Sequence, residues 1–188
     1  MPLFTTLIIG GWIAFWLYWL TSAVGSKKNV TPRLKQFFGI RLGMVVLLMV
    51  LFRILNVQYY SFANRVITGN FAIGVAGLVI FVAGLAVAVW ARVYLGKNWG
   101  MPMTQKVKAD LITTGPYQYI RHPIYSGILL AVLGTALASS VFWLLIFAIT
   151  TMYFTYCALA EEKIMMKLFP KDYPVYKRRT KMLIPFVV

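Results

Sequence analysis

Long uncharged stretches alternate with short polar ones along this chain. Pro2 to Val24 carries no ionisable side chain except a tyrosine, Phe38 to Gln58 only Arg41 and Arg53, and Asn70 to Leu95 one charge, Arg92. Pro123 to Ala160 carries no charge at all. A helix that spans a bilayer needs about 20 mostly apolar residues. The first three runs therefore predict one span each. The fourth is long enough for two, with a tight turn at Ser139-Ser140. The pattern predicts helices over 2–24, 38–58, 70–95, 123–138 and 140–168. This is an all-α membrane protein with about five transmembrane helices, the last two forming a hairpin. It reads as a single domain, 1–188, with a three-helix membrane part (1–95) followed by a polar loop, the hairpin and a basic tail (96–188).

Composition agrees. Of 188 residues, 61% are apolar and 12% charged, whereas soluble domains sit near half apolar and a quarter charged. The first run lacks a basic leader and is too long for the apolar core of a secretory signal. Charge sets the orientation. Lys27, Lys28, Arg33, Lys35 and Arg41 crowd the first loop, and Arg92, Lys97, Lys106, Lys108 and Arg121 the third loop and its flanks. The tail carries Lys163, Lys167, Lys171, Lys177, Arg178, Arg179 and Lys181, leaving only Arg53 and Arg65 for the other side. Positive residues stay cytoplasmic, so the N-terminus is expected outside and the C-terminus in the cytoplasm, with the plasma membrane the expected location. A net charge of +15 that flanks apolar spans points to anionic membrane lipids and not to nucleic acid. Cys157 and His122 are each the sole residue of their type, which argues against a disulfide within the chain and against a metal centre.

The polar chemistry is concentrated in two places. Gly115-Pro-Tyr-Gln-Tyr-Ile-Arg-His-Pro-Ile-Tyr-Ser-Gly127 leads into the fourth span, and Pro123 suits the first turn of a helix because its missing N–H would be unpaired there. Arg121 and His122 are thereby placed beside a helix N-terminus, which favours anions. Glu161-Glu162, half of the four acids in the chain, close the following uncharged run. With the turn at Ser139-Ser140, positions equidistant from it lie at equal depth: His122 opposite Cys157, Tyr125 opposite Phe154. Glu161 then lies about 6 Å further toward the cytosol at the helical rise per residue. Arg121, His122, Tyr125 and both glutamates line one interfacial site in this reading. A carboxylate near a helix C-terminus opposes the macrodipole and asks for a compensating cation. Small residues at four-residue spacing, Gly39/Gly43 and Gly84/Ala88, suit close helix packing.

At these residues the chain resembles the isoprenylcysteine carboxyl methyltransferase family and its relatives, the membrane phospholipid methyltransferases. The shared pattern is Gly115, Tyr117, Arg121-His122-Pro123-Ile124-Tyr125-Ser126-Gly127, then Glu161-Glu162, Phe169, Tyr173, Tyr176 and Pro185. The resemblance implies S-adenosylmethionine as cofactor, with contacts from Leu111, Ile112, Tyr117, His122, Pro123, Tyr125 and Glu161. It implies a prenylcysteine or similar lipid carboxylate as acceptor, entering sideways from the bilayer, with the site facing the cytoplasm. Arg121 and Glu162 are the candidate catalytic residues. Two departures stand out: Cys157 replaces the arginine that eukaryotic prenylcysteine enzymes carry four residues before the first glutamate, and Pro170 replaces the usual glycine after Phe169.

Three other readings compete. A phospholipid amine methyltransferase would run the same chemistry on another headgroup. A nicotinamide-dependent sterol-type reductase shares a related C-terminal pattern. A scaffold or small transporter is disfavoured, because apart from Arg41 and Arg53 the spans lack the ionisable midplane groups of many ion paths.

Overall fold

The computed structural model describes residues 2–22, 70–100, 110–140 and 142–184. The expected span 38–58, the Gly39/Gly43 pair, the basic first loop, Arg53, Arg65, Lys106 and Lys108 lie outside the described residues. Within them the chain forms α1 (Pro2–Ser22), α2 (Phe71–Leu95), α3 (Pro123–Ala138), α4 (Phe142–Leu168) and α5 (Asp172–Arg179), with single 3-10 turns at Gly96–Asn98 and Gly115–Gln118.

Three described helices are long and apolar enough to cross a bilayer: Leu3–Ser22, Phe71–Asn98 and Phe142–Leu168. The chain is an integral membrane protein. Where the hydropathy pattern predicts five spans, these three are joined by the shorter α3, whose 16 residues reach only about 24 Å. By contrast α4, at 27 residues, runs about 40 Å and outlasts a hydrocarbon core of about 30 Å. Its last turns bear Glu161 and Glu162.

The helix ends follow local chemistry. Asn70 caps α2, its side-chain oxygen accepting from the N–H groups of Ala72 at 2.9 Å and Ile73 at 3.4 Å. Pro123 begins α3, as its missing N–H allows. At the hairpin turn the Ser139 hydroxyl donates to the Thr135 carbonyl at 2.7 Å, and Ser140 accepts from the Phe142 N–H at 3.3 Å.

Close packing of α2 on α3 organises the bundle. Gly77 meets Ala138, Phe81 meets Gly134, Gly84 meets Ala131 and Ala88 meets Gly127. An equal step down one helix matches each step up the other, so the register is antiparallel. A methyl on Gly127 would sit 2.6 Å from the Ala88 nitrogen, and one on Gly77 would sit 2.7 Å from that of Ala138. Without a hydrophobic drive between helices in lipid, this backbone-to-backbone approach supplies the attraction. The Gly84/Ala88 pair read from sequence serves this interface.

Helix α1 lies against the pair. Phe4, Ile8 and Phe15 are buried, and the Trp12 indole donates to the Thr135 hydroxyl at 3.1 Å. That hydroxyl in turn donates to the Ala131 carbonyl at 2.8 Å. Both polar groups are thus satisfied inside an apolar bundle, as lipid surroundings require.

Candidate functional site

The hairpin brings the Arg121-His122 corner against the end of α4. Tyr125 stacks flat on Phe154, with ring centroids 4.6 Å apart and planes 4° from parallel. This is the pairing that equal depth predicts. The His122 ring also lies parallel to that of Tyr125, at 5.5 Å and 3°. Three flat rings thus run from the mouth of α3 across to α4.

The two glutamates have different surroundings. The Glu161 carboxylate accepts from the Tyr125 hydroxyl at 2.6 Å and lies 3.4 Å from His122 Nδ1. Its side chain keeps about a quarter of its surface exposed, at 26%. Glu162 is sealed at 3% exposure. Arg121 Nε donates to one of its oxygens at 2.6 Å, and Lys177 Nζ to the other at 2.6 Å. His122 Nε2 lies 3.8 Å from Glu162, too far for a hydrogen bond, so Glu162 acts on it through charge.

A strap made from the tail closes the site. The carbonyls of four successive residues are engaged: Thr180 by Arg121 Nη1, Lys181 by the Arg121 N–H at 2.8 Å, Met182 by the His122 N–H at 3.1 Å, and Leu183 by the Ser126 hydroxyl. Ile120 and Lys181 form a parallel bridge. The Tyr176 hydroxyl donates to the Tyr117 carbonyl at 2.6 Å. Burial raises the pKa of Tyr176 to about 12, with the Arg121 charge partly offsetting it. Burial likewise raises Tyr117 and Tyr173. These phenols stay protonated at neutral pH and remain donors.

The other expected residues lie close by. Pro123 is buried at the start of α3. Tyr117 is buried in one apolar cluster with Ala91, Ile124, Tyr125, Cys157, Ala158 and Leu183, and Ile112 packs on that cluster. Leu111 is half-buried beside Asp110, whose N–H donates to Asn98 at 3.2 Å. Cys157 is fully buried. Gly115 takes φ +61°, and a side chain there would strike the Tyr94 ring.

A model of the phospholipid methyltransferase family matches residues 72–172, from α2 through the whole of α4. The chain belongs to this family. Among curated proteins it is 39% identical over 70 residues to methanethiol S-methyltransferase 1 of Bradyrhizobium diazoefficiens, a match covering 37% of this chain and 24% of that one. It is 30% identical over 101 residues to protein-S-isoprenylcysteine O-methyltransferase of Schizosaccharomyces pombe, covering 52% of this chain and 43% of that one. The matched stretches span less than half of either relative. Among solved structures, the eukaryotic intramembrane Ras methyltransferase, isoprenylcysteine carboxyl methyltransferase, shares the fold with a TM-score of 0.58 at 21% identity. That match covers 84% of this chain and 55% of the other.

In this family member, residues beyond the sequence pattern complete the corner. Lys177 had read only as one of many basic tail residues, and the strap carbonyls leave no mark in side-chain identity. Tyr173 and Tyr176 did carry a signal, in the spacing shared with the resembled family. Arg121 and Glu162 are engaged with each other and with the strap, an arrangement that suits holding the site together better than touching a substrate.

His122 gives the corner a pH dependence. Burial works against its charged form, but the carboxylates of Glu161 and Glu162 outweigh burial, and its pKa is raised above the ordinary histidine value of 6.5. A raised folded-state pKa contributes stability in full below the unfolded value and loses it as pH rises through the folded one. The melting temperature of detergent-purified protein should therefore fall from pH 6.5 upward more steeply than that of His122→Gln. Parallel curves for the two proteins would show that the imidazolium contributes nothing.

Proposed function

We propose that this protein transfers a methyl group from S-adenosylmethionine to a lipid-borne acceptor, the carboxylate of a prenylcysteine or a similar lipid, at the cytoplasmic face of the plasma membrane. The carrying observation is the division of labour between the paired glutamates. Glu162 is sealed by Arg121 and Lys177, while Glu161 stays reachable beside a flat stack of rings.

These residues fit the cofactor. When bound, it supplies an electrophilic methyl on a sulfonium. Glu161 suits its ammonium or ribose hydroxyls, and His122 with the N-terminus of α3 suits its carboxylate. Tyr125 and Tyr117 offer polarisable faces to a cation. Leu111, Ile112 and Pro123 supply apolar walls. A carboxylate acceptor is already ionised at neutral pH and asks for no general base, so this chain's work is positioning. Arg121 and Glu162 then serve as positioning residues. The lipid reaches the site from the bilayer and the cofactor from the cytosol. Basic tail residues rest on anionic headgroups.

Glu161→Gln should weaken S-adenosylhomocysteine binding about tenfold or more, the loss of a charged hydrogen bond. Lys163→Ala, on the exposed face of α4, should leave it unchanged. Calorimetry on detergent-purified protein reads both, and an unaltered Kd in the glutamine variant removes Glu161 from the site. Tighter binding of NADPH than of S-adenosylhomocysteine would favour the reductase reading instead.

A second reading, methyl transfer to an uncharged thiol, draws on Cys157. It lies fully buried among apolar neighbours where the resembled prenylcysteine enzymes carry a cation, and one relative is named a methanethiol S-methyltransferase. A phospholipid amine is the remaining acceptor class. Radiolabelled methyl transfer to a prenylcysteine, an alkyl thiol and phosphatidylethanolamine separates the three.

A further inference from the structure

The turn at Gly115–Gln118 is held from two sides. Gly115 takes φ +61°, a conformation that L side chains rarely adopt, and the Tyr94 ring of α2 fills the space where a side chain would stand. Within the turn the Thr114 carbonyl accepts from the Tyr117 N–H at 3.2 Å. The Pro116 carbonyl accepts from the N–H groups of Tyr119 at 3.2 Å and Ile120 at 3.3 Å. The Tyr117 carbonyl takes its donor from 59 residues further on, the Tyr176 hydroxyl in α5 at 2.6 Å. Tyr117 is 6% exposed and packs in the cluster with Tyr125, Cys157 and Leu183, within electrostatic reach of Glu161.

Tyr176 is itself firmly placed. Its carbonyl accepts from the Thr180 hydroxyl at 2.8 Å, and its ring meets that of Tyr173 edge-on at 5.8 Å. Tyr173, three residues earlier on the same face of α5, is 2% exposed. The next residue, Lys177, binds Glu162. The raised pKa of the Tyr176 phenol keeps it protonated at neutral pH, so the hydroxyl remains a donor. A tyrosine suits this reach because a rigid apolar ring carries one polar group at its tip. The ion pair of Glu162 secures the tail to Arg121, whereas Tyr176 secures it to the turn that presents Tyr117.

We propose that Tyr176 is a positioning residue for the cofactor: its hydroxyl fixes the turn that carries Tyr117, and cofactor affinity thereby depends on a docked tail. The proposal rests on the methyl-transfer reading, in which Tyr117 walls the cofactor, and adds the group that couples this wall to the C-terminal tail. Linkage makes the coupling reciprocal. A docked tail tightens the cofactor by some factor, and bound cofactor holds the tail down by the same factor. Because the hydroxyl acts through the Tyr117 backbone, its loss should weaken cofactor binding without removing any contact to the cofactor itself.

The test is Tyr176→Phe in the full chain, purified in detergent, which removes one oxygen and keeps the ring. Calorimetry should show S-adenosylhomocysteine binding weakened about three- to tenfold, the loss of one neutral hydrogen bond. Trypsin cutting at Lys177, Arg178 and Arg179 reads the tail. Saturating S-adenosylhomocysteine should slow this cutting in wild type, and the protection should shrink in Tyr176→Phe by the factor lost in affinity. Tyr119→Phe, which alters an exposed ring near the same turn, should change neither. An unaltered Kd in Tyr176→Phe overturns the proposal whatever happens to the melting temperature, because the bond is then packing alone. An equal loss of affinity in Tyr119→Phe overturns it as well. So does wild-type cutting that is indifferent to the ligand, a result that needs no variant to fold. Failure of wild type to bind S-adenosylhomocysteine at all would instead strike the methyl-transfer reading, and the proposal with it.

Discussion

Glu162→Leu should release the C-terminal strap and abolish cofactor binding, although the substituted side chain is sealed away from any ligand. Glu162 sits between Arg121 and Lys177 at 2.6 Å each, and Arg121 also reaches the carbonyls of Lys177 and Thr180. Removing one partner of a buried ion pair leaves an uncompensated charge and costs about 3–5 kcal/mol. Arg121 would then turn toward water and let go of the strap. Arg121→Met alone should also be harmful, because it removes the donor to the Lys177 and Thr180 carbonyls and leaves the buried carboxylate one of its two close cations, Lys177. The double variant removes both charges and should recover much of the lost stability, since the two losses are not additive. Melting temperature reads the stability. Trypsin reads the strap, because Lys177, Arg178 and Arg179 become cleavable when α5 lifts. A single variant as stable and as protease-resistant as wild type would mean that the pair is incidental.

Gly127→Leu should prevent assembly of the bundle. Its new Cβ would lie 2.6 Å from the Ala88 nitrogen and 2.6 Å from the Gly84 carbonyl oxygen. Both are backbone atoms, so no rotamer change relieves the clash, and α2 and α3 must separate along their whole contact. Overpacking typically costs about 1–3 kcal/mol where side chains can yield. Here they cannot, and the cost should exceed that range. Gly10→Leu is the control, since nothing lies within 4 Å of that position. Size-exclusion chromatography in detergent should show an aggregated or unfolded Gly127→Leu beside a monodisperse Gly10→Leu. A monodisperse Gly127→Leu that binds cofactor normally would refute the packing argument.

The sequence showed most where the bilayer constrains it. Uncharged runs mark α1, α2 and the hairpin because lipid tolerates few charges, and Ser139-Ser140 marks the turn because the run is too long for one span. Depth counting from that turn paired Tyr125 with Phe154 and brought Arg121 and His122 to Glu161 and Glu162. The length of α3 was legible as residues 123–138, but its shortfall against a full span follows only from where Pro123 and Ser139 end it. The pairing of Gly84 and Ala88 with α3 was not legible, since a small-residue pattern names no partner. The strap was hidden for a different reason. Its bonds to Arg121, His122 and Ser126 use backbone carbonyls, which every residue possesses. Arg92 reads as one charge near a helix end, and only the fold shows it donating to the carbonyls of Gly96 and Ser22.

The strap also sets an order of events in synthesis. Residues 180–183, whose carbonyls hold Arg121, His122 and Ser126, leave the ribosome after α1 to α4. Chains begin folding from the N-terminal side as they are made. The apolar helices can therefore enter the bilayer and zip together at Gly84 and Gly127 while the polar corner is still open. A nascent chain halted before residue 180 would be a correctly inserted membrane protein with an unfinished site, so insertion and competence to bind are separable stages in the life of one molecule.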